Sequence, residues 1–204
     1  MLLTLRWLLA GLLAAVLLRF RFRRFPVFCL YVAIALIALV THIRLEQWLG
    51  QSWLTGQRIL TGARAAVTLE ILWLAGKGLR RRERLALTGF AACTGAALAE
   101  AGWVAVLGSF YYGYAGIMRS AEAGMLLAIA AVFLLTWRVH LPVEPAVRRH
   151  AALWALLMGN QIWTTLTRPE TGVAWRIENA AYLLVACACA VGWLRATMRF
   201  SSEI

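Results

Sequence analysis

Seven apolar stretches fill nearly the whole of this 204-residue chain, and basic residues gather on alternate connections between them. A helix satisfies its own backbone hydrogen bonds, so about 20 mostly apolar residues in helical form can cross a bilayer. The pattern predicts helices near 2–18, 26–43, 59–78, 85–107, 118–137, 151–167 and 177–194. The fold class that follows is all-α, a polytopic membrane protein whose seven transmembrane helices form one bundle and one domain over 1–204. The nearest rival has six spans, with the first stretch lying in the interface. Hydrophobic residues make up 62% of the chain and the mean hydropathy is +0.73, well above the roughly half-apolar norm of soluble domains. Connections this short leave no room for a soluble catalytic domain, so function is expected among the helices or in the loops.

Orientation follows from Lys and Arg. The first connection holds Arg19, Arg21, Arg23 and Arg24, and the third holds Lys77, Arg80, Arg81, Arg82 and Arg84. The fifth holds Arg138, Arg148 and Arg149, and the tail holds Arg195 and Arg199. All four clusters fall on one face only if the chain starts outside and ends in the cytoplasm, and this alternation favours seven spans over six. Met1–Leu18 has the apolarity of a signal peptide, but Arg19–Arg24 stand where a small-residue cleavage site would be, so it reads as a retained first helix. The net charge of +12 is then explained by positive-inside topology and contact with anionic lipid headgroups, not by nucleic acid. The expected location is a bacterial inner membrane.

Tryptophans mark the headgroup levels. Trp7, Trp48, Trp53, Trp103, Trp163 and Trp175 fall near the outer ends of the stretches, and Trp73, Trp137 and Trp193 near the inner ends; Trp154 fits this belt least well. Residues 44–57 carry Leu45, Trp48, Leu49 and Trp53 at helical spacing, as a short amphipathic helix lying in the outer interface would. Phe110-Tyr111-Tyr112-Gly113-Tyr114 reads as an aromatic outer loop, either part of the belt or a docking surface. The third and seventh stretches share a faint register, with Ala65 through Arg80 aligning on Ala180 through Arg195, as parallel repeats would. The fourth stretch is dense in small residues (Gly89, Ala91, Ala92, Gly95, Ala96, Ala97, Ala99), which permit close helix approach inside the chain or with another subunit.

Polar groups inside the spans are the candidate site, because ionisable residues in a bilayer are costly and face protein or water. They are Arg64 and Glu70 in the third stretch, Glu100 in the fourth, Arg119 and Glu122 in the fifth, Asn160 and Gln161 in the sixth, and Glu178 and Asn179 in the seventh. All but Glu70 map to the outer half, and Glu70 maps near mid-membrane. Arg119 and Glu122, three apart, can pair along one helix face, whereas Arg64 and Glu70, six apart, need partners from other helices. Glu70 and Glu100 would be driven to protonate unless an arginine or water is near. One reading is a structural polar network that fixes helix register; another is a water-filled solute or proton site; a third is contact with a partner subunit.

Other chemistry has little support. His42 lies near the outer side and His140 and His150 at the inner side, so no bis-histidine haem pair is expected. Cys187 and Cys189, two apart, point to different helix faces, and with Cys29 and Cys93 they read as small apolar residues. No G-x-S-x-G, H-E-x-x-H or P-loop pattern occurs. The sole lysine, Lys77, ends the third stretch, which excludes a Schiff-base chromophore in the seventh. No catalytic residue, metal or cofactor is predicted; bound lipid is expected.

The segment Arg23-Arg24-Phe25-Pro26-Val27-Phe28-Cys29-Leu30-Tyr31 resembles the entry to the second helix of a family of seven-helix bacterial inner-membrane proteins of no known activity. Val67-Thr68-Leu69-Glu70-Ile71-Leu72-Trp73 is similar to that family's third helix, and Ala181-Tyr182-Leu183-Leu184 to the start of its last. The resemblance implies seven spans and draws attention to Glu70; it implies no activity.

The expected function is that of a non-catalytic integral subunit or scaffold of a larger membrane complex, a respiratory or photosynthetic assembly being the candidates. The alternative is a small-solute or proton-coupled transporter, or a receptor, with its polar site in the outer half. The expected partners are membrane lipids and other integral subunits.

Overall fold

The structure is a computed structural model of the chain, and it describes residues 2–19, 25–44, 50–107, 114–138, 140–166 and 172–200. The described residues form seven α-helices: α1 (Leu2–Arg19), α2 (Pro26–Arg44), α3 (Gly50–Ala75), α4 (Arg81–Leu107), α5 (Tyr114–Arg138), α6 (Pro145–Leu166) and α7 (Val173–Phe200). Each corresponds to one of the seven apolar stretches, although α3 stops at Ala75, short of 78, and the last residue of the sixth stretch, 167, lies outside the described part. Four are long and apolar enough to cross a membrane, over Leu2–Arg19, Pro26–Ile43, Ala121–Arg138 and Arg176–Ala196.

Two compact units are present, residues 1–64 with 163–204 and residues 65–162. In the first, α1 packs on α2 and α7. Leu9, Leu13 and Val16 of α1 are buried at three- and four-residue spacing, the period of one helix face. Phe28 of α2 meets Trp193 of α7 with ring centroids 4.7 Å apart and planes tilted by 53°, the offset geometry favoured by aromatic pairs. Trp193 is therefore a core residue and not part of a headgroup belt. Trp137, by contrast, is 72% exposed, as a belt residue would be.

In the second unit α4 packs along α5. Ala91, Gly95 and Ala99 form the buried face of α4, and Gly124 and Ala128 face them from α5. A Cβ at Gly95 would collide with the Gly124 carbonyl oxygen and would sit 2.7 Å from Ala128 N and 2.9 Å from Ala128 Cβ. Only glycine permits this approach, so part of the small-residue stripe is used inside the chain. Its other members divide: Gly89, Ala96 and Ala97 are exposed and Ala92 is half-buried.

The two corners of this unit are closed by different devices. After Ala75 the chain leaves the helix through Gly76–Leu79, three residues before the predicted end at 78. Arg84 explains the early stop. Its Nε donates to Gly76 O at 3.0 Å and its Nη2 to Lys77 O at 2.8 Å and Leu79 O at 3.3 Å, while its guanidinium lies 4.8 Å from the centroid of the Trp73 ring. One cation thus satisfies three carbonyls of the turn. Glu83, third residue of α4, accepts from Arg80 N at 3.0 Å, which is half of a capping box.

The α5 end is a Schellman motif: Leu141 N donates to Thr136 O at 2.8 Å and His140 N to Trp137 O at 3.2 Å. His140 stands at the left-handed position with φ 52°, where glycine is usual. Pro142 follows the stop, and Pro145 opens α6, where its fixed φ and missing N–H cost nothing.

At the other end of α3 the helix begins at Gly50. Residues 50–57 are continuous with α3 and do not form a separate interfacial helix, since no proline interrupts them; residues 45–49 lie outside the described part. Phe110–Gly113 of the aromatic loop also lie outside it, and Tyr114 begins α5.

Gly95→Leu is expected to lower stability by about 3 kcal/mol or more through overpacking against backbone. Thermal melting in detergent checks this, with Gly89→Leu as the comparison: no heavy atom lies within 4 Å of a Cβ built there, and its melting temperature should be unchanged.

Candidate functional site

The polar candidates within the helices receive unequal environments. Arg64 of α3 is 5% exposed and Glu122 of α5 is 2% exposed. Glu70, Asn160, Gln161, Glu178 and Asn179 are half-buried. Arg64, Glu70, Glu122, Asn160, Gln161 and Asn179 each take part in polar or electrostatic interactions. The helix positions of Glu100 and Arg119 are described, but their side chains lie outside the described part, and with them the Arg119–Glu122 pairing.

The longer α3 shifts the two charges along it. Because the helix spans Gly50–Ala75, Glu70 lies five residues before its end and not at its middle. At 1.5 Å per residue that is roughly 7–8 Å from the corner closed by Arg84. Arg64, close to the midpoint of α3, is the more deeply buried of the two.

The pattern of charges missed the polar contact that joins α3 to α6. Trp154 is fully buried, and its Nε1 donates to Thr68 Oγ1 at 3.1 Å. Thr68 is itself 3% exposed. An indole N–H in an apolar interior needs an acceptor, and the threonine one turn after Arg64 supplies it. The poor fit of Trp154 to the aromatic belt was the available signal in the sequence; nothing in the chain near Thr68 singled it out. His150, one turn before Trp154 on the same helix, is also buried.

Cys29, Cys187 and Cys189 are buried free thiols and Cys93 is exposed. Although Cys187 and Cys189 are two residues apart, both are enclosed. Among the described residues no group of three His, Cys, Asp or Glu side chains is placed to hold a metal ion.

One hollow is formed at the corners of the second unit. It has a volume of about 360 Å³ and is lined by Leu74, Lys77, Gly78, Pro142, Val143, Glu144 and Pro145. None of the seven polar candidates whose side chains are described lines it.

Comparison with family models, with curated proteins and with solved structures finds no match. The resemblance at Arg23–Tyr31, Val67–Trp73 and Ala181–Leu184 therefore rests on those residues alone.

Thr68→Val keeps the shape of the side chain and removes the acceptor for Trp154. It should cost about 1 kcal/mol, the net worth of one hydrogen bond, whereas Thr68→Ser should retain most of the stability. Chemical denaturation followed by tryptophan emission compares the two.

Proposed function

We propose that the chain crosses a bacterial inner membrane seven times, with its N-terminus outside and its C-terminus in the cytoplasm, as a non-catalytic integral subunit or scaffold beside other membrane proteins. Beyond the four most apolar helices, α3, α4 and α6 have 26, 27 and 22 residues, lengths of roughly 33–40 Å that suffice for a bilayer. The alternation of basic connections supports their crossing as well as the orientation. Large apolar side chains stand exposed along the helices, among them Leu18, Ile37, Leu134 and Ile177, as expected of surfaces that meet lipid or apolar partners.

The observation that carries the subunit reading is the outward face of α4. Gly89, Cys93 and Ala97 follow one another at four-residue spacing and are all exposed, and Phe90 beside them is 61% exposed. This is a second small-residue face, back to back with the one that α5 occupies, and its shape suits another apolar helix. A contact through Gly95 is not open to a partner, because α5 fills it.

Gly89→Leu is expected to release the chain from its native complex while leaving its melting temperature unchanged. Native-gel sizing and mass spectrometry of gently extracted membranes check this. Co-migration of the same partners with Gly89→Leu would remove this face as the contact.

A transporter is the second reading, favoured by two charged side chains, Arg64 and Glu122, that are more than nine-tenths buried. On that reading, purified protein in vesicles should raise proton flux above that of protein-free vesicles, and Glu122→Gln should abolish the excess. Equal flux with and without protein would leave the subunit reading in place.

A further inference from the structure

We infer that the corner shared by the α3–α4 and α5–α6 connections is a binding site for the phosphodiester headgroup of an anionic phospholipid. The inference rests on the membrane reading above and goes beyond it, because positive-inside topology needs basic residues only on the right side, not a hollow between two basic connections.

The two connections touch. A Cβ placed on Gly78 would lie 3.4 Å from Leu141 Cδ1, so the turn after α3 lies beside the Schellman stop of α5. That contact gathers two sets of charges distant in sequence. Lys77, Arg80, Arg81 and Arg82 on one connection and Arg138, Arg148 and Arg149 flanking the other all have exposed side chains. The opposing carboxylates of these segments are Glu83 and Glu144, and Glu83 is engaged by Arg80 N. Arg84, the remaining cation, is held by the turn carbonyls and the Trp73 ring.

Between the connections lies the hollow of about 360 Å³, within the size range of small-ligand sites. Its lining is two-natured. Leu74, Pro142, Val143 and Pro145 supply apolar wall, and Lys77 supplies a cation whose flexible stem can follow a phosphate, with Glu144 the one carboxylate beside it. Prolines in the wall add no backbone N–H that would need a partner. A free phosphate would use the charge and leave the apolar wall bare, and a nucleic acid would need an extended aromatic or basic track. A glycerophospholipid uses both parts, with its phosphate at Lys77 and its glycerol and first methylenes on the proline and valine side chains, while the exposed arginines of the two connections add attraction at longer range. Basic hollows at the cytoplasmic ends of membrane helices suit such headgroups.

The test is native mass spectrometry of the full chain in detergent, titrated with phosphatidylglycerol, cardiolipin or phosphatidylcholine. The expected result is retained adducts of the anionic lipids in preference to the zwitterionic one. Lys77→Gln and Arg81→Gln should each weaken that preference about fivefold, the effect of one basic residue near an anionic headgroup, with unchanged melting temperatures. Arg195→Gln, on α7, should leave it intact. Gly78→Leu, which intrudes on the hollow without altering charge, should weaken adduct retention as well. Equal binding of both lipid types would overturn the site, as would an equal loss in Arg195→Gln or displacement of the lipid by millimolar inorganic phosphate. Alkaline carbonate washing of membranes separates the two levels of the argument. Protein kept in the pellet but lacking lipid preference removes the site alone, and protein released to the supernatant removes the membrane reading with it.

Discussion

Backbone carbonyls at a helix end have no partner inside the helix and must find one beyond it. The two corners of the second unit answer this in opposite ways. At α3–α4 a side chain does it: Arg84 reaches back over the turn to three carbonyls while its guanidinium rests against Trp73. At α5–α6 the backbone does it, through the paired bonds from Leu141 to Thr136 and from His140 to Trp137. The second solution places a non-glycine residue in the left-handed region, a strain of about 1 kcal/mol that the paired bonds and the following proline outweigh.

Between the corners, packing depends on the absence of side chains. The contact of Gly95 with Gly124 and Ala128 draws α4 and α5 together. Such contacts gain van der Waals energy by proximity instead of by apolar area. That α4 carries the same residue types on two faces follows from composition, since alanine and glycine dense enough to make one stripe readily make two. Which stripe was internal depended on tertiary packing and could not be read from their order.

Much of the architecture was legible because it rests on local rules. Apolar length placed all seven helices, with most boundaries displaced by a few residues, and the Pro145 start of α6 lies six residues before the apolar stretch because its first turns are basic. The α3 end was misjudged because apolarity continues through Leu79 while the chain turns at Gly76, and the decisive residue, Arg84, reads in sequence as one more positive-inside charge. Trp193 was placed by a headgroup rule that assumes an exposed indole, and Trp154 fitted that rule least well; both are buried, Trp154 bonded to a threonine and Trp193 tilted against Phe28. The candidate polar site was legible only as a set of residue types. Burial distinguishes Arg64 and Glu122 from the other candidates whose side chains are described, and burial is set by neighbours far along the chain.

The Schellman stop of α5 carries a constraint that reaches beyond helix termination. Leu141 and Pro142 end the helix; Leu141 also abuts Gly78, and Pro142 walls the hollow. Register and surface shape are thereby written in one tetrad, residues 140–143. An insertion or deletion there would alter the phase of α6 relative to α5 and redraw the hollow in a single step, so this connection, although exposed at His140 and Pro142, has less freedom to change length than an ordinary surface loop.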